Sequence, residues 1–138
     1  MTERAIYITE FDRGRLKQFL QRTDFHNHPD KKNLKDLENE LDRAIIVEPK
    51  AVPPTVVTMN SKVRFKDLES GEEVVYTVVF PEESDVPHGK ISVVAPIGTA
   101  LLGYKAGDVV EWAVPAGRRR FQITGVIYQP EAAGHFHL

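Results

Sequence analysis

The 138-residue chain contains no cysteine. That excludes disulfides, thiolate nucleophiles and cysteine-ligated zinc. Packing and backbone hydrogen bonds must hold the fold. Long apolar runs are also missing, and none approaches the ~20 residues that a bilayer span needs. The N-terminus, Met1-Thr2-Glu3-Arg4, lacks the charged-then-apolar layout of a signal peptide. A cytoplasmic protein with no membrane partner is expected. An excess of positive charge is absent as well: the formal net charge is −2. A protein held mainly by phosphate contacts is usually strongly basic. Nucleic acid is therefore expected to be reached only indirectly. Apolar residues make up 41% of the chain, enough for one compact core.

Two periodicities divide what remains. Up to Val47 the pattern is helical. Thr9 suits an N-cap, with Glu10 and Asp12 favourable in the first turn. Leu16, Phe19 and Leu20 follow at helical spacing. The stretch 23–30 is rich in turn formers and precedes a clearer helix. There Leu34, Leu37, Leu41 and Ala44 step by three and four along one seam, which Ile45 is expected to widen. Glu40 and Arg43 are spaced to pair on the wet face. Two such helices predict an antiparallel hairpin, only ~20 Å long at 1.5 Å per residue. Three prolines between 49 and 54 predict a stiff, extended linker and a domain boundary at 48–54.

From Thr55 the period becomes two. Lys62-Val63-Arg64-Phe65-Lys66 alternates as a half-buried strand does. Further strands are expected over Val74–Phe80, Lys90–Val94, Val109–Val114 and Arg118–Tyr128, with a short helix between Pro96 and Leu102 that Gly103 stops. Pro115-Ala116-Gly117 reads as a hairpin turn. The expected fold class is α+β: a short antiparallel helical hairpin (a coiled coil) over 1–47, then an antiparallel sheet domain with one short helix over 55–138.

Few residues ask to be called a site. Gly98 to Lys105 lacks the Gly-Lys-Ser/Thr order of a phosphate loop. The pairs His26/His28 and His135/His137 lack a third metal ligand. Asp24 and Asp30 bracket the hairpin tip, where two carboxylates could hold Mg²⁺, though capping and solvation are the plainer roles. Lys62, Arg64 and Lys66 share one strand face, and Arg118 and Arg120 another. Side by side they would form a basic patch able to meet an acidic surface, although such residues are often only the wet side of a sheet. No serine–histidine–acid set or nucleophile elbow appears, and no catalytic residue, metal, cofactor or small-molecule substrate is implied.

The string from Lys90 to Gly117 resembles the C-terminal domain of the bacterial transcript cleavage factors GreA and GreB. Ile91-Ser92, Pro96, Ala100-Leu101-Leu102, Gly107-Asp108 and Pro115-Ala116-Gly117 carry the likeness. Leu41-Asp42-Arg43-Ala44, Val56 to Ser61 and Tyr128 to Gly134 extend it to the Rnk family, the regulators of nucleoside diphosphate kinase. The resemblance implies an FKBP-like fold from about Thr55 and docking on RNA polymerase at the secondary channel. It implies a polymerase-binding loop of Val94, Ala95, Pro96 and Ile97, in which Val94-Ala95 replace the Asp-Ser of the Gre factors. Gre factors carry acidic residues at the tip of a long coiled coil; here the hairpin is short. A non-catalytic regulator that competes with Gre factors is therefore expected. Two rivals share the implied fold. One is a peptidyl-prolyl isomerase with rings from Tyr76, Phe80, Trp112 and Phe121. The other is a full cleavage factor.

Overall fold

The computed structural model describes residues 6–23, 31–114 and 117–135. Strand β1 (Tyr7–Thr9) leads into helix α1 (Glu10–Gln21), and helix α2 (Lys31–Arg43) leads into strand β2 (Ile45–Val47). Thr9 caps α1 as expected: its hydroxyl accepts from the Asp12 N–H at 3.1 Å. Leu16 and Leu20 of α1 and Leu34, Leu37 and Leu41 of α2 are buried in one apolar cluster. Lys17 meets Asp42, while Gln21 and Glu38 line the same cleft. As α1 ascends, α2 descends, so the helices are antiparallel. The Glu40–Arg43 pair also forms.

Both ends of the helical segment differ from expectation. Tyr7–Thr9 and Ile45–Val47 are extended and pair in parallel, Ile8 opposite Ile46. Ile45 therefore does not widen the seam: it lies on β2, 43% exposed. The Ile45 N–H donates to the Ile6 carbonyl at 2.8 Å, which ties the chain entering the hairpin to the chain leaving it. Beyond β2, residues 48–55 turn rather than run straight. The Ala51 N–H closes on the Glu48 carbonyl at 2.9 Å, and the Val52 side chain is buried.

The second half forms one five-stranded sheet from β3 (Lys62–Asp67), β4 (Glu73–Val79), β5 (Lys90–Ser92), β6 (Val109–Val114) and β7 (Gly117–Tyr128), in the order β5-β4-β3-β7-β6. The alternation in β3 is realised residue by residue, exposed then buried from Lys62 to Asp67. The sheet is mostly antiparallel, but β5 runs parallel to β4. Two 3₁₀ turns, Pro81–Glu83 and Val86–His88, carry the chain back to make that possible. The β6–β7 pairing is antiparallel, with Val114 opposite Gly117; Pro115 and Ala116 lie outside the described residues. Helix α3 (Pro96–Leu101) covers the inner face beside β6 and β5. Val63, Phe65, Val78, Ile91, Phe121 and Ile123 point inward and join the cluster that holds the hairpin leucines. One continuous core therefore spans both halves. Full burial of such a side chain contributes roughly 1.5–3 kcal/mol.

Candidate functional site

Two places are unusually constrained, one partly exposed and one buried. One is the loop between β5 and α3, and the other is the joint that fixes the hairpin on the sheet.

In the loop, the chain leaves β5 in a tight turn. The Ala95 N–H donates to the Ser92 carbonyl (3.0 Å) and the Val94 N–H to the Ser92 hydroxyl (3.2 Å). The Thr99 hydroxyl donates back to the Val93 carbonyl at 2.7 Å. Ala95 is extended (φ −70°, ψ 152°), and Pro96 sits at the first helical position, where its missing N–H costs nothing. Gly98 is forced by contact, because a Cβ there would lie 2.1 Å from the Ser92 carbonyl oxygen. Val94 and Ile97 are only 5% and 7% exposed. These two side chains shape the loop from beneath, and the half-buried Ser92, Ala95, Thr99 and Ala100 give it surface. The side chain of Pro96 lies outside the described residues, as do Asp24, His26, His28, Asp30 and His137.

α3 ends at Leu101, and Gly103 beyond it, with a φ of +84°, is a left-handed stop. Gly103 is also the stitch between halves. Its carbonyl accepts from the Tyr7 N–H (3.3 Å) and its N–H donates to the Val57 carbonyl (2.8 Å). A Cβ at this position would lie 2.5 Å from that of Ile6. α2 packs against α3, so hairpin and loop share one end of the molecule.

The joint is built on Asp12, which is fully buried. One carboxylate oxygen accepts from Arg15 at 2.6 Å, and the other accepts from the Met59 N–H at 3.1 Å. Burial pushes its pKa up to about 6, against the lowering effect of Arg15 and the Met59 N–H. The Arg15 guanidinium lies over the Phe11 ring (4.1 Å) and the Phe80 ring (4.8 Å), so α1 is also clamped to the end of β4. Below Asp12, residues 56–61 form a knot. Asn60 takes a positive φ of 66°. The Thr58 hydroxyl donates to buried Glu131 at 2.6 Å and lies 2.8 Å from the Ser61 hydroxyl. Gln129 donates to the carbonyls of Pro53 (2.8 Å) and Val56 (2.7 Å). Three segments remote in sequence thus satisfy one another's buried polar groups.

Sequence reasoning placed Asp12 in a helix cap region but missed this role. The available signal was its position four and eight residues before Leu16 and Leu20, on the buried stripe. Three of the rings named for an isomerase, Tyr76, Phe80 and Phe121, make contacts of their own. Phe65 packs edge-on to Phe121 (5.5 Å between centroids) and tilted on Tyr76 (5.9 Å), while Phe80 is buried under Arg15. The Trp112 side chain lies outside the described residues. Among the described residues no cluster of three or more His, Asp or Glu could hold a metal, and no helix is long and apolar enough to cross a membrane. His135 accepts or shares a hydrogen bond with the Tyr128 hydroxyl at 2.6 Å.

Comparison with known proteins separates the same two halves. Residues 52–128 match the model for the C-terminal part of the transcription elongation factors GreA and GreB. The chain belongs to the GreA/GreB family. Residues 4–47 match the Rnk N-terminus. The chain is 38% identical to the regulator of nucleoside diphosphate kinase of Escherichia coli K12 over the full length of both. It is 46% identical to GreA of Clostridium beijerinckii over 90 residues, 65% of this chain but 56% of that protein. A solved GreA/GreB structure from Nitrosomonas europaea covers 91% of this chain and all of that one, with 43% identity and a TM-score of 0.75. Membership relates the chain to regulators of transcription elongation with an α+β fold.

Proposed function

We propose that this member of the GreA/GreB family binds RNA polymerase at the mouth of its secondary channel, competes there with Gre factors, and does not stimulate transcript cleavage. The observation that carries the reading is a Gre-type C-terminal half joined to a hairpin of only 12 and 13 helical residues. Each helix is ~18–20 Å long. In this reading residues 55–138 grip the polymerase through the loop of Val94, Ala95, Pro96 and Ile97, and residues 48–54 separate that grip from the hairpin. The loop offers a pre-shaped backbone, which limits the ordering cost of binding. The hairpin occupies the channel entrance but falls short of the reaction centre, so Asp24 and Asp30 would not deliver Mg²⁺. The protein acts in the cytoplasm and touches nucleic acid only through the polymerase.

The test is stalled elongation complexes challenged with the protein, alone and with a Gre factor. Competition without shortened transcripts is expected. Shortened transcripts from the protein alone would establish a cleavage factor instead. Replacing Pro96 by alanine should weaken binding to core polymerase, and unchanged affinity would move the grip elsewhere.

A further inference from the structure

The five-stranded sheet buries one face and leaves the other uncovered. Register places the outward side chains in rows. Lys90, Thr77 and Lys62 lie across β5, β4 and β3. Val75 and Arg64 form the next row, and Glu73, Lys66, Gln122 and Val109 the one after. Arg120 stands opposite Glu111, and Arg118 lies two residues before it on β7. All six of these cations are exposed, against two carboxylates on the same face. The chain has 18 Lys and Arg against 20 Asp and Glu, so six cations against two carboxylates leave this face at +4 and the remainder at −6.

The face is also partly pre-set. Two register shifts in the β3–β7 pairing flank Arg64. The Arg64 Nε donates to the Thr124 hydroxyl at 3.3 Å, and that hydroxyl donates to the Arg64 carbonyl at 3.1 Å. The guanidinium lies along Gly125, so its direction is fixed before any partner arrives. Arg118 spends part of its charge on Glu111 at 3.2 Å, whereas the cations of β3 face solvent.

Between the cations stand exposed aliphatic side chains: Val75 (37%) and Val109 (42%), with Ile127 at the bulged end of β7. A phosphate backbone offers nothing to these groups. Single-stranded nucleic acid is usually held by aromatic stacking, and the described ring on these rows is Tyr128, already engaged with His135. Arginine and aliphatic groups together fit a protein surface. We propose that this outer sheet face, centred on Lys62, Arg64, Lys66 and Arg120, is a docking surface for an acidic protein segment that also carries aliphatic side chains. It is distinct from the β5–α3 loop, and it stands whether or not the chain binds polymerase.

The test titrates the full chain with a labelled synthetic helix bearing glutamates on one face and leucines on the other, and separately with a single-stranded RNA of equal charge. The peptide should bind more tightly than the RNA. The triple variant Lys62→Glu, Arg64→Glu, Arg120→Glu should weaken peptide binding roughly tenfold or more. A triple at exposed sites elsewhere, Lys31→Glu, Lys50→Glu, Lys105→Glu, makes the same change in net charge and should leave affinity within about twofold. The glutamine version of the first triple should fall between. Equal losses from both triples, preferential RNA binding, or no binding of the peptide would each overturn the proposal.

Discussion

The hairpin and the sheet reach order by different routes. Each strand of the sheet has a hydrogen-bonded neighbour, and its inner face closes on α3. The hairpin helices have 12 and 13 residues. Isolated helices of ~12–15 residues are marginal in water. Their order is supplied from outside: leucines that enter the sheet's core, a two-stranded tie at the base, and a buried carboxylate aimed at the Met59 backbone. A short projection therefore takes its direction from the domain that carries it. Long coiled coils specify their own direction, whereas this one is set at its root.

Four perturbations sharpen that contrast. Leu37→Ala removes a fully buried side chain from the junction of hairpin and core. It should cost about 2–5 kcal/mol, read by denaturant unfolding. Hydrogen exchange should show hairpin amides opening well before those of β3 and β7; simultaneous opening would make the two regions one unit.

Asp12→Ala should cost about 1–3 kcal/mol, because the buried Met59 N–H loses its acceptor. The same residue gives a pH signature. Its folded pKa of about 6 lies above the 3.8 of the free carboxyl. The fold thus prefers the protonated form, so its contribution is fully present below pH 3.8 and is lost as pH rises to 6. The span is about 3 kcal/mol. Wild type minus Asp12→Asn stability should show that slope between those pH values, and a flat difference would remove the burial argument.

Thr9→Ala deletes only the cap and should cost about 1 kcal/mol, again expressed first in the exchange of α1. The smallest effect is expected for Lys17–Asp42, an exposed pair across the two helices at 2.6 Å that holds the Asp42 carboxyl below its usual pKa. A double-mutant cycle should return a coupling smaller than any of the effects above, because solvent screens both charges.

The sequence made the repeating parts legible. Leu34, Leu37 and Leu41 mark the seam of α2, Lys62 to Lys66 mark the alternation of β3, and Pro96 and Gly103 bracket α3. What it concealed depends on distant pairing. Three-residue strands such as Tyr7–Thr9 and Ile45–Val47 are too short to show a period, and each is stabilised by a partner far along the chain. Lys90–Ser92 is equally short, so its parallel pairing with β4 carried no local mark. Of the site, the turn chemistry around Pro96 was visible, but the burial of Val94 and Ile97 was not. Thr58 and Glu131 meet across 73 positions, and neither looks unusual alone.

A fixed, stubby hairpin is what the functional reading depends on, and the absence of cysteine allows it to be measured. Spin labels at Lys35→Cys on α2 and Lys66→Cys on the sheet report the distance between the two regions. A single narrow distribution is expected in the wild-type background, broadening when Asp12 is replaced by alanine. A broad distribution with Asp12 intact would show a hairpin that swings freely, and the account of a short projection aimed from its root would be wrong.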